Sequence, residues 1–115
     1  MDQKQKTYLI IITGLGEEKY YKTLEYIYEH YSEQRADEIA EELLETPEKL
    51  TTFPQRGKTE ENLEHRPEGF RYILYKRSNH ATVKVIYYID EPTLTVYVTD
   101  FFPTEMNHHK IKRRS

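Results

Sequence analysis

The chain contains no cysteine. Disulfide scaffolding, thiolate catalysis, thiol redox chemistry and Cys-ligated zinc are therefore excluded. Long apolar runs are also missing. The run Tyr8-Leu9-Ile10-Ile11-Ile12 falls far short of the roughly 20 residues a transmembrane helix needs. No small-residue cleavage site follows it, so neither a membrane span nor a signal peptide is expected. Both absences fit a cytoplasmic protein. The sequence shows no internal repeat and no low-complexity stretch. Glu105 with His108 and His109 has no second cluster of His or Asp at ligand spacing, so neither a metal nor another cofactor is expected.

What is present is enough for one domain. The 115 residues can bury a core without staples. The net charge of -3 conceals an asymmetry. Residues 1–52 carry 6 basic and 12 acidic groups, whereas residues 53–115 carry 11 basic and 8 acidic groups. An acidic N-terminal half therefore precedes a basic C-terminal half, and local cationic fields rather than the global charge decide which polyanions bind.

Hydrophobic spacing supplies the element order. Tyr8 to Ile12 reads as a strand buried on both faces, central in the sheet. Gly14-Leu15-Gly16 breaks it. Tyr20, Leu24, Ile27 and Tyr31 recur at helical spacing, with Tyr21, Tyr26 and Tyr28 on the same helix. Ser32 suits the N-cap of a second helix, in which Ala36, Ile39, Ala40, Leu43 and Leu44 form one face. Thr46-Pro47 starts a short extra turn that should return Leu50 and Phe53 to the core. The polar stretch from Phe53 to Gly69 reads as loop.

Three strand-like runs follow: Gly69 to Arg77, Thr82 to Asp90 and Leu94 to Phe102, separated by turn residues. Short connections make them an antiparallel meander. The order β-α-α-β-β-β predicts an α+β fold, with two antiparallel helices packed on a small, mainly antiparallel four-stranded sheet. The first strand reaches the meander only through the helices, so it is expected to pair parallel to a neighbour. Arg71, Lys76, Arg77 and Lys84 stand inside strands among Tyr72, Tyr75, Tyr88 and Tyr97. Cations and aromatics on one sheet suit a polyanion.

Several motifs in sequence order carry a resemblance. Leu50-Thr51-Thr52-Phe53-Pro54-Gln55-Arg56-Gly57-Lys58 is similar to a Leu-x-x-x-Pro-x-x-Gly-basic junction. Gly69-Phe70-Arg71-Tyr72 looks like a Gly-aromatic-Arg strand opening, and Lys84-Val85-Ile86-Tyr87-Tyr88-Ile89-Asp90 like a basic-x-hydrophobic-Tyr-x-Ile-Asp strand. Together they resemble the RelE/ParE superfamily of bacterial type II toxins over a core of about residues 7–102, with 103–115 as a basic tail. The resemblance implies a toxin that inhibits growth and is neutralised by a cognate antitoxin. Its members either cut mRNA on the ribosome or inhibit DNA gyrase, and a shared fold does not choose between them.

In the nuclease case, Lys84, Arg71 and Arg77 would surround a phosphate, with His108 as the acid or base. Arg56, Lys58, Tyr72, Tyr75 and Tyr88 would form the substrate or partner surface. Nuclease-type members place Arg, or His with Tyr, at the end of the last strand. Here the chain has Phe101-Phe102-Pro103, which tilts the reading toward gyrase inhibition or toward a decayed toxin that only binds antitoxin. Edge strands of the sheet would receive the antitoxin.

Overall fold

The computed structural model describes residues 6–76, 82–105 and 111–112. Strand β1 (Leu9–Ile12) leads into helices α1 (Gly14–His30) and α2 (Glu33–Glu45). Short 3₁₀ turns at Thr46–Leu50 and Pro54–Arg56 follow, then β2 (Lys58–Thr59) and a third 3₁₀ turn at Glu61–Leu63. The meander is β3 (Arg71–Lys76), β4 (Thr82–Asp90) and β5 (Thr95–Pro103). The strands lie in the order β1-β5-β4-β3-β2. β1 pairs parallel to β5, as its connection through two helices allows, and the other pairs are antiparallel.

The α+β class holds, with five strands instead of four. The additional strand is Lys58–Thr59, which pairs with Tyr72 and Arg71 inside the segment read as loop. A second correction concerns β1. It is an edge strand, not a central one, because among the described residues it pairs only with β5. Its side chains split accordingly: Ile10 and Ile12 pack on the core, while Leu9 and Ile11 stay exposed.

Local chemistry explains the helix starts. Thr13 Oγ1 accepts from the Gly16 amide at 3.0 Å, so the Gly-Leu-Gly segment expected to be a break is the first turn of α1. Ser32 caps α2 by accepting from the Arg35 amide.

The two faces of the sheet carry separate cores. Tyr20, Ile27, Ala36, Ile39 and Leu43 from the helices meet Val83, Val85, Tyr87, Val96, Val98 and Phe101. On the opposite face, Leu63, Phe70 and Ile111 cover Ile86 and Phe102, with Tyr72 and Tyr88 alongside. The β4–β5 register shifts between Ile86 and Tyr87, which face Asp100 and Val98. Thr99 is the extra residue of this bulge. It lets Val98 and Phe101 both face the helices although three positions separate them.

Leu50 is buried as expected, but Phe53 is 59% exposed. The turn after Leu50 throws Phe53 outward in a left-handed conformation, with φ of 56°.

Close approach of α1 to β5 depends on Gly16. A Cβ there would stand 2.3 Å from the Val98 carbonyl oxygen and 3.1 Å from Ile12 Cγ2. A Cβ at Gly14, two residues earlier, would meet no side chain or strand within 4 Å. Urea unfolding should therefore show Gly16→Ala losing ~1–3 kcal/mol. Gly14→Ala should be neutral or gain up to about 1 kcal/mol. Equal effects of the two substitutions would contradict this packing.

Candidate functional site

Pairing in the sheet decides which candidate residues can act together. Leu74 stands opposite Lys84, whereas Arg71 stands opposite Tyr87. Directly opposed residues share a face. Lys84 and Tyr72 therefore lie on the outer face, and Arg71, Ile73 and Tyr75 on the helix face. A phosphate held jointly by Lys84 and Arg71 is ruled out by this geometry, because the sheet lies between them. Arg77 and His108 lie outside the described residues.

Lys84 is 8% exposed, and its Nζ donates to Glu60 Oε1 at 2.9 Å. Glu60 is 1% exposed. Its other oxygen accepts from the Asn62 amide at 3.1 Å and from Asn62 Nδ2 at 2.9 Å. The Lys84 ammonium also sits 4.3 Å from the centre of the Tyr72 ring. Burial pushes the Glu60 carboxyl up, but the Lys84 and Asn62 donors outweigh it and hold the group below its ordinary value. This pair opens onto a cleft of about 350 Å³ that Lys58, Thr59, Glu61, Asn62 and Tyr72 also line. The two lysines of the cleft are matched by two glutamates, so no net cationic field remains for a phosphate.

Arg71 has a different task. Its Nη1 donates to the carbonyls of Gly57 at 2.8 Å and Gln55 at 3.4 Å. Tyr87, buried beside it, donates its hydroxyl to the Pro54 carbonyl and accepts from the Gly57 amide at 3.1 Å. The loop 54–57 is thus pinned to the helix face of the sheet from two strands. A Cβ at Gly57 would come 2.1 Å from the Tyr87 hydroxyl, so only glycine lets the loop lie this close.

Arg56 is exposed and turns back on the preceding chain. Its Nε donates to the Phe53 carbonyl at 3.2 Å and its Nη2 to the Thr52 carbonyl at 3.0 Å. These bonds hold Phe53 in its left-handed conformation, which costs a bulky side chain about 1–3 kcal/mol.

A family model described as the ParE toxin of the type II toxin-antitoxin system, parDE, matches residues 10–108. The chain belongs to the ParE toxin family. No curated protein and no solved structure is significantly similar to it. Membership brings a cognate antitoxin as partner. Among the described residues no helix is long and apolar enough to cross a membrane.

The remaining surface candidates of this ParE-family chain divide by face. Tyr75 is buried and donates its hydroxyl to Glu42 of α2, so it joins helix to sheet and is not a stacking surface. Tyr72 and Tyr88 occupy the outer face. Tyr88 stacks on Tyr97 and meets Phe70 edge-on. Lys58 is exposed at the β2 edge. Phe101 and Phe102, where nuclease-type relatives would carry polar groups, are fully buried, one in each core. Among the described residues no group of His, Asp or Glu could hold a metal.

Sequence reasoning missed Glu60. It lies 24 residues from Lys84 in a segment read as loop, so no spacing rule connects the two. The sign of its shift fixes a pH dependence. Because the folded carboxyl is held low, its contribution is complete above the ordinary glutamate value of about 4.3 and is lost as pH falls below it. The fall in unfolding free energy from pH 5 downward should be shallower in Glu60→Gln than in the parent. Parallel acid limbs in the two proteins would contradict the assignment.

Proposed function

We propose that this ParE-family toxin arrests growth by binding and inhibiting DNA gyrase in the cytoplasm, with no bond-breaking chemistry of its own. The observation that carries this reading is the neutralised Lys84. The cation expected at a scissile phosphate spends its charge on buried Glu60, and Arg71 is committed to loop carbonyls on the other face. RNA cleavage needs cationic groups and an acid converging on one phosphate. The buried Phe101 and Phe102 at the end of β5 support the same reading.

The antitoxin has an edge to join beyond Tyr8, whose own amide is taken by the Thr51 carbonyl at 2.8 Å. Leu9 and Thr13 direct their amides to Leu94 and Val98 of the β5 side, at 2.9 and 3.0 Å. The alternate residues Ile10 and Ile12 therefore turn their backbone groups outward, where an extended antitoxin segment adds as a further strand. Exposed Leu9 and Ile11 give that strand an apolar contact. An acidic antitoxin segment gains little from Arg71 and Lys84, since both already have partners within the chain.

The test uses a variant that removes the charges without leaving one stranded. Lys84→Ala alone would leave Glu60 buried and unpaired, at a cost of about 3–5 kcal/mol, and would confuse misfolding with lost chemistry. Glu60→Leu combined with Lys84→Met replaces the pair by apolar groups and should fold. We expect induced expression of parent and double variant alike to depress DNA synthesis within minutes while transcripts stay intact. Transcript cleavage by the parent that the folded double variant has lost would overturn the proposal in favour of a ribonuclease. A folded parent without any growth effect would favour a toxin that retains only antitoxin binding.

A further inference from the structure

A strained, exposed aromatic and a carboxylate held by neutral donors meet at one cleft near the start of β1. Phe53 stands in the left-handed region just before Pro54, where both its bulk and the following proline disfavour a helical backbone. The residue is 59% exposed and belongs to neither core. Sequence patterning placed it inside. Strain held in place by Arg56, on a side chain that joins neither core, points to a use outside the chain's own core.

Phe53 lines a cleft of about 370 Å³ together with Lys6, Tyr8, Gln55 and Glu91. The Glu91 carboxylate is oriented by two neutral donors. Tyr8, itself 5% exposed, donates to Oε1 at 2.8 Å, and Gln55 Nε2 donates to Oε2 at 2.7 Å. Among the described residues no lysine or arginine forms an ion pair with Glu91. The cleft therefore offers an oriented carboxylate without an ion-pair partner among the described residues, an open aromatic face and room for a side chain, with the Lys6 cation also on its wall.

We propose that this cleft captures an arginine side chain of a partner protein. A planar guanidinium satisfies both features at once: it stacks on an aromatic ring and forks onto a carboxylate. A nucleic-acid phosphate would meet the Glu91 charge instead. Lysine would match the charge but lacks the plane that covers Phe53. The proposal does not depend on how the toxin arrests growth, because Phe53 and Glu91 lie apart from the Lys84 cleft.

The probe is N-acetyl-arginine methylamide, titrated into the full chain and followed by NMR at the Phe53 ring and the Gln55 side-chain amide. Saturable shifts at both groups are expected, with a dissociation constant of about 1–10 mM. The citrulline analogue, which keeps the shape and loses the charge, should bind about tenfold more weakly. Two variants complete the test. Phe53→Gly suits the left-handed backbone and should unfold at an equal or higher temperature than the parent, yet lose the response. Glu91→Gln should lose it too. Absence of saturable shifts in the parent, equal binding of citrulline, or an unchanged response in folded Phe53→Gly would each overturn the proposal.

Discussion

The ion pair between Glu60 and Lys84 is the constraint on which the outer half of this toxin depends. Two charges taken out of water cost several kcal/mol each, and mutual attraction offsets that only when the geometry is good and the remaining donors and acceptors are used. Here those conditions are met. One Glu60 oxygen faces the ammonium, the other takes two donors from Asn62, and the ammonium lies over Tyr72. The pair fastens the chain after β2 to the middle of β4. With that anchor in place, Leu63 settles over Ile86 and Phe102, and the outer face of the sheet acquires a core of its own. A face that would otherwise present cations to a polyanion is closed by an acid from the same chain.

The opposite face is organised by a second set of buried polar contacts. Tyr87 and Arg71 take hold of the backbone from Pro54 to Gly57, and Arg56 fixes the turn just before it. Much of what makes the sequence resemble its superfamily is therefore architecture. The proline and glycine of the junction, the arginine that opens β3 and the tyrosine of β4 all serve one loop. Their presence shows how the loop is held, and it carries no information about RNA cleavage. Lys84 belongs to the same class of residue in this chain, because its charge is consumed within the fold.

The fold was legible to the extent that hydrophobic period decided it. Tyr20, Leu24 and Ile27 announce a helix, Ser32 its successor, and the Val-Ile-Tyr runs the meander. Two helices between the first strand and the rest suggested a parallel pairing, and β5 supplied it. What stayed illegible followed from contacts that no period encodes. A run such as Leu9-Ile10-Ile11-Ile12 reads alike in a central strand and at an apolar edge, so the exposure of Leu9 was invisible. β2 is two residues long and carries no pattern. Phe53 was drawn inward by its hydrophobicity, whereas its backbone follows from Arg56 and the turn. For the candidate site, alternation sorts the side chains of one strand but does not relate β3 to β4. The register between them was needed to place Arg71 and Lys84 on opposite faces.

A double-mutant cycle on Glu60 and Lys84, run by urea unfolding at neutral pH with Glu60→Leu, Lys84→Met and the combined variant, tests the central claim most directly. A buried, hydrogen-bonded pair predicts that each single substitution destabilises strongly, that the double variant recovers most of the loss, and that the coupling energy is about 3 kcal/mol. Additive effects with a coupling near zero would mean that Lys84 keeps its charge free for a ligand, and the account given for the outer face would fail.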